Sequence, residues 1–225
     1  MKMASKYKLT YFPTTGVAEP IRFLFSYGKL EFEDIRFEID DWPKIKPTMP
    51  FGQVPVLEVD GKLANQSVAI CRYVGELIKL DGVDTWENLE INGIADTVND
   101  LRASKYTTCV CTSYYNIYSI EIAAYHYEKD PDVKENLKGP LFNETLPYYL
   151  ERLDAIVKAN DSHLAVGKLT WADFFFVGLL DYLDMMLKKK MIEGYPNLLK
   201  LESIIVNLPA IKDWIENRPE SQGLF

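Results

Sequence analysis

Pro55-Val56-Leu57-Glu58-Val59-Asp60-Gly61-Lys62-Leu63-Ala64 reads as a strand, a tight turn and a returning strand, and this stretch decides the fold. Asp-Gly is a favoured dipeptide for a two-residue hairpin, because both turn residues need positive φ. Proline is tolerated at the strand entrance, where no ladder donor is required. Behind the hairpin, Ser67 is placed to cap a helix reaching about Leu77, with Ile70, Val74 and Leu77 on its apolar side. Working back toward the start of the chain, residues 7–12 are rich in aromatic and β-branched types and read as a strand. Residues 18–27 place Ile21, Leu24 and Phe25 at helical spacing, with Gly28 behind them as a stop. Residues 32–37 alternate in the manner of a second strand. A helix between the first two strands makes that pair parallel and the crossover right-handed. The hairpin makes the last pair antiparallel.

A small mixed sheet with helices, of the thioredoxin type, is therefore expected over residues 1–80. Residues 79–85 are polar and contain Asp81-Gly82, which suits a linker. From there the pattern changes to helical periodicity without a convincing strand. Helices are expected over 86–108, 113–127, 141–160, 171–190, 196–207 and 210–217, punctuated by Asp130-Pro131 and by Lys138-Gly139-Pro140. Thr170-Trp171-Ala172-Asp173 has the form of a capping box ahead of an apolar run. The fold class is thus α/β plus all-α: a thioredoxin-like domain at 1–80, then a helical bundle domain at 86–225.

Composition narrows the function. The 225 residues carry a net charge of -8. That balance argues against a nucleic-acid surface, which needs a basic face, and against docking on anionic lipid. Met1–Lys6 is polar with no apolar stretch behind it, so no signal peptide is expected. The most apolar run, residues 174–180, lies between Asp173 and Asp181 and is too short to cross a bilayer. Cys71, Cys109 and Cys111 are odd in number and lack framework spacing, which fits reduced thiols in the cytoplasm. With only His126 and His163 beside them, no metal site is expected.

Four features bear on chemistry. A thioredoxin-like redox enzyme carries C-x-x-C after its first strand. Here that place holds Tyr11-Phe12-Pro13-Thr14-Thr15-Gly16, so dithiol exchange is excluded and a phenolic hydroxyl stands there instead. Gln66-Ser67 begins a helix, where free N–H groups favour a carboxylate, although an ordinary cap explains the pair equally simply. Gln53-Val54-Pro55 enters a strand; a cis Val54–Pro55 bond would turn the Val54 backbone outward to pair with a peptide-like ligand, although such bonds are a small minority. Trp42 and Lys46 are either a half-buried indole and a solvated ammonium, or two donors to one carboxylate. A small anionic peptide with its own thiol fits the whole set.

The motifs Lys8-Leu9-Thr10-Tyr11-Phe12, Ala18-Glu19-Pro20-Ile21-Arg22, Trp42-Pro43-Lys44-Ile45-Lys46, the run from Met49-Pro50-Phe51-Gly52-Gln53 to Asp60-Gly61, and Gln66-Ser67 resemble the cytosolic glutathione transferases. Thr170-Trp171-Ala172-Asp173-Phe174 resembles that family's helix-start box. Within the family the sigma class fits best, which holds arthropod and helminth enzymes, haematopoietic prostaglandin D synthases and lens S-crystallins. The resemblance implies that Tyr11 hydrogen-bonds the sulfur of glutathione, the co-substrate. It implies that Trp42 and Lys46, with Gln53, hold the glycyl carboxylate. Val54, before a cis Pro55, would clamp the cysteinyl backbone, and Gln66 and Ser67 the γ-glutamyl end. Asp100 would reach glutathione in the neighbouring subunit of a homodimer.

A second-substrate pocket for hydrophobic electrophiles is expected from Phe12, Thr14, Gly16, Val17, Arg102, Tyr106 and Phe225. Two departures stand out. Many sigma-class enzymes have Arg where this chain has Val17, which bears on how strongly the thiol is activated. Asn99 replaces one carboxylate of the Asp96/Asn99/Asp100 set, which disfavours a regulatory metal. The resemblance implies conjugation of glutathione to electrophiles; peroxidase or prostaglandin isomerase activity, a ligandin-like carrier and a crystallin-like structural protein are the other readings.

Overall fold

The computed structural model describes residues 6–103 and 122–222. Strand β1 (Tyr7–Tyr11) is followed by a 3₁₀ turn at Gly16–Ala18 and helix α1 (Glu19–Tyr27), then by β2 (Phe32–Arg36). Short turns and a one-turn helix α2 (Trp42–Ile45) lead to β3 (Val56–Val59), β4 (Lys62–Asn65) and helix α3 (Ser67–Leu77). The sheet order is β2-β1-β3-β4. β1 and β2 are parallel, with Tyr7 opposite Phe32, and β3 is antiparallel to both β1 and β4. A parallel pair needs a crossover, and α1 supplies it. Asp60 and Gly61 both have positive φ, 49° and 83°, as the hairpin demands.

The remaining described elements are helical: α4 (Thr85–Ala103), α5 (Ile122–Tyr127), α6 (Pro131–Pro140), α7 (Leu146–Ala159), α8 (Trp171–Leu187), α9 (Pro196–Val206) and α10 (Pro209–Asn217). α8 is the hub. Trp171, Phe174, Phe175, Phe176, Leu179 and Leu183 on it are all buried. Its start is fixed by the expected capping box: Asp173 accepts hydrogen bonds from the Thr170 backbone at 2.8 Å and from the Leu164 backbone at 2.8 Å. Gly178 lets α8 lie directly on α1, since a Cβ there would come within 2.7 Å of Pro20 Cα. The helical layer thereby backs the loop that follows β1.

Several boundaries differ from the sequence reading, for identifiable reasons. α6 occupies residues read as punctuation. Asp130 caps it by accepting from the Asp132 and Val133 backbones, and Pro131 sits in the first turn, where its missing N–H costs nothing. The helix expected from residue 141 begins instead as a wide π turn, Leu141–Thr145, before α7. Pro140 and Pro147 bracket that turn, and neither offers an N–H to a carbonyl four residues back. α8 ends at Leu187 rather than residue 190, because Lys188 adopts a left-handed conformation at φ 54°. Ser67 is the first residue of α3, not its cap; Gln66 stands at the cap with φ 76°, and no side chain caps the helix. The far end of the helix expected over 86–108, the start of that expected over 113–127, and Cys109 and Cys111 lie outside the described residues.

Candidate active site

β1 delivers Tyr11 to the edge of the sheet, and the loop from Phe12 to Val17 folds back over it. The side chain is 7 % exposed. The Val17 backbone N–H donates to the Tyr11 hydroxyl oxygen at 3.3 Å. That bond fills the oxygen from behind and leaves the phenolic proton free to donate elsewhere. Burial pushes the phenol above its ordinary pKa of 10.0, outweighing the opposite pull of the Val17 N–H, Arg102 and Arg22. At neutral pH Tyr11 is therefore a donor. Gly16 makes the fold-back possible: its φ is +48°, and a Cβ there would lie 2.6 Å from the Tyr11 hydroxyl.

Arg22 anchors this loop from below. It is fully buried and donates to the carbonyls of Thr14 at 2.8 Å and Thr15 at 3.3 Å. Its charge is met by Glu19 at 3.0 Å and Asp34 at 3.1 Å. The other Glu19 oxygen accepts from Trp214 Nε1 and from Arg218, both at 2.7 Å. The 221–222 segment adds three bonds: Thr14 Oγ1 with Ser221 Oγ at 3.0 Å, Thr15 N–H to Ser221 Oγ at 3.2 Å, and Gln222 N–H to the Pro13 carbonyl at 2.8 Å.

A cleft of about 480 Å³ opens in front of Tyr11. One side is built by Trp42, Lys46, Gln53 and the Val54–Pro55 pair, whose peptide bond is cis. Trp42 is held by Phe37, stacked at 5.6 Å, and by Phe12, edge-on at 5.3 Å. The far end is Gln66, Ser67 and the uncapped start of α3, where free N–H groups and the helix dipole favour an anion. Phe12, Val17, Arg102 and Tyr182 close the remaining side. Two cations, Lys46 and Arg102, face this cleft and no carboxylate lines it among the described residues, although the chain as a whole is acidic. The site is made for an anionic, peptide-like molecule.

The other residues singled out in the sequence distribute as follows. Thr14 lines a smaller adjoining cavity of about 180 Å³ together with Phe12, Tyr127 and Tyr182. Gly16 supports the Tyr11 ring and lines neither space. Asp100 is exposed on α4 and does not line the cleft of its own chain. Tyr106 and Phe225 lie outside the described residues. Tyr182 is the main residue that sequence reading missed: its hydroxyl pairs with that of Tyr127 at 2.9 Å, and burial drives its phenol pKa upward. Its one signal was a polar-tipped ring just behind the apolar run of α8, between Asp181 and Asp184. A larger, shallow hollow of about 820 Å³ between α1 and α10 has neither the helix start nor the tyrosine, which leaves the smaller cleft as the candidate site.

Residues 7–76 match the family model described as the glutathione S-transferase N-terminal domain, and residues 119–218 that of the C-terminal domain. A glutathione S-transferase of Anopheles gambiae is 44 % identical over 213 residues, covering 95 % of this chain and 97 % of that one. The chain belongs to the glutathione S-transferase family. The transferase is also 38 % identical to the haematopoietic prostaglandin D synthase of Gallus gallus over 96 % of its own length and 98 % of the relative's. In three dimensions it resembles a structure described as prostaglandin synthase D of Nilaparvata lugens, with a TM-score of 0.85 at 42 % identity, covering 96 % of this chain and 99 % of that one. The family's thioredoxin-like sheet domain and helical domain are both present, and no described helix of the transferase is long and apolar enough to cross a membrane.

Proposed function

We propose that the chain is a sigma-class enzyme that conjugates glutathione to hydrophobic electrophiles, with Tyr11 donating its phenolic proton to the glutathione sulfur. The observation that carries this reading is that Tyr11 lines an anion-seeking cleft while its oxygen accepts from the Val17 N–H, so the phenolic proton remains available to donate. Trp42, Lys46 and Gln53 take the glycyl carboxylate, Val54 pairs with the cysteinyl backbone beside Pro55, and Gln66 and Ser67 take the γ-glutamyl end. Residues 1–80 form the glutathione-binding domain and residues 86–225 complete the second-substrate pocket. The working unit is a cytoplasmic homodimer in which Asp100 of each chain serves its partner's site.

A cysteine-type thiol titrates near 8.5, so about a few per cent is nucleophilic at pH 7. Lowering that value by about two units takes roughly 2.7 kcal/mol. One charge-assisted hydrogen bond supplies about 1.5–3 kcal/mol, so a single phenol and the surrounding field suffice. The thiol proton passes to solvent. The sulfur electron pair then forms the S–C bond, and an aryl halide loses its halide. Proximity in the apolar part of the cleft contributes the remainder.

The test is retention on immobilised glutathione followed by turnover of a generic aryl halide. Retention with turnover is expected. Retention without turnover would make the protein a carrier, and loss of both would reject the glutathione site. The similarity to proteins named prostaglandin D synthase supports a second reading, isomerisation of a prostaglandin endoperoxide at the same sulfur. Assay of that substrate beside the halide separates the two.

A further inference from the structure

We propose that Arg102 supplies the positive charge that keeps bound glutathione as its thiolate. The inference rests on the glutathione reading above and adds to it a second partner for the sulfur. Val17 contributes only its backbone N–H to Tyr11; its side chain is apolar. Arg102, in the last turn of α4, lines the same cleft as Val17. One of its N–H groups donates to Asn99 Oδ1 at 3.0 Å. Its Nε is buried and has no hydrogen-bond partner, and no carboxylate pairs with the guanidinium among the described residues. A half-buried guanidinium left without a counter-charge is costly, because desolvation is not repaid. Burial indeed pulls its pKa down, with Tyr182, Tyr11 and Tyr127 acting the other way.

Among the described residues that border the cleft near Tyr11, Arg102 is the cation with no paired carboxylate. Tyr11 from β1 and Tyr182 from α8 are phenols that burial pushes above their ordinary value, so neither carries charge at pH 7; Tyr127 from α5 shares a hydrogen bond with Tyr182. Arg22, 5.9 Å from the centre of the Tyr11 ring, is already neutralised by Glu19 and Asp34. Lys46 faces the glycyl end, and the start of α3 faces the glutamyl carboxylate. Of the anionic groups of glutathione only the sulfur remains, and among the described cations of the cleft Arg102 is the one left to meet it. A cation beside a thiol favours the charged form and lowers its pKa. The S–H electron pair stays on sulfur, and the proton leaves to water.

The experiment titrates the ultraviolet thiolate absorbance of the glutathione complex against pH, with no electrophile present. Arg102→Gln removes the charge and keeps hydrogen-bonding capacity; Arg102→Lys keeps the charge. The midpoint is expected to rise by about one pH unit in Arg102→Gln, roughly tenfold less thiolate at neutral pH. It is expected to stay near wild type in Arg102→Lys and to return toward it in the double variant Val17→Arg/Arg102→Gln. Affinity for S-methylglutathione, which has no thiol to ionise, should not change. An unchanged midpoint in Arg102→Gln overturns the proposal, including the case where turnover falls only for carboxylate-bearing electrophiles. A parallel loss of S-methylglutathione affinity overturns it too, by making Arg102 a peptide-binding group. Failure of the wild-type protein to bind S-methylglutathione would instead reject the glutathione site itself.

Discussion

At Tyr11 the proposed chemistry depends on one hydroxyl that accepts from Val17 N–H and would donate to the thiol. Tyr11→Phe removes the donor and leaves the ring packed against Phe12, so fold and glutathione affinity should persist. Turnover should fall by roughly ten- to a hundredfold, the worth of a charge-assisted bond, and steady-state kinetics of the aryl halide reaction would measure it. Equal turnover would reject the role. Because burial holds the phenol above 10.0, the wild-type rate should rise once with pH as the thiol ionises, with no loss from Tyr11 below that value. Gly16→Ala is expected to be more damaging than its position suggests. The new methyl group meets the Tyr11 hydroxyl and the backbone is in the left-handed region, at about 1–2 kcal/mol for the conformation alone. Its kcat should drop with little change in glutathione affinity, read by kinetics beside calorimetry. The residues around Tyr11 were legible because each has a backbone reason to be there: Gln53-Val54-Pro55 at a strand entrance, Gln66-Ser67 at a helix start. Tyr182 was not, since a tyrosine in a helix reads as core until the fold shows which cavity it borders.

Between elements, the buried carboxylate of Glu19 joins α1 to α10 by accepting from Arg22, Trp214 and Arg218. Replacing it by Ala leaves two guanidinium groups short of a counter-charge. Removal of one partner from such a buried set costs about 3–5 kcal/mol, and urea denaturation should show a loss of that size. Arg22 would also lose a partner that holds it under the Thr14 and Thr15 carbonyls, so kcat should fall in the fraction that remains folded. Wild-type stability in Glu19→Ala would show that water or Asp34 substitutes for the pair. None of this network was visible in the sequence, because its members are separated by up to 199 residues. The elements themselves were: the hairpin, the crossover helix and the boxed start of α8 each carry local signals. α6 escaped because its two prolines and Gly139 look like breakers, whereas the first proline only starts the helix and the second only ends it.

On the scale of the whole molecule, the exposed Asp100 has no part in its own chain's cleft. If it serves the partner, Asp100→Ala should weaken glutathione binding severalfold while leaving the protein dimeric, which calorimetry and sedimentation together would detect. Unchanged affinity would remove the shared-site assignment. The fold class, a mixed sheet followed by helices, was legible from the switch in hydrophobic period; how sheet and helices meet, through Gly178 on Pro20 and Trp171 N–H on the Leu80 carbonyl at 3.0 Å, was not. The bonds from Ser221 and Gln222 to the loop at Pro13–Thr15 carry a consequence for synthesis. The Pro13–Thr15 loop leaves the ribosome some 206 residues ahead of the segment that locks it. A nascent chain can form the sheet early, yet the loop under Tyr11 gains its last anchors only after residues 214–222 have cleared the exit tunnel.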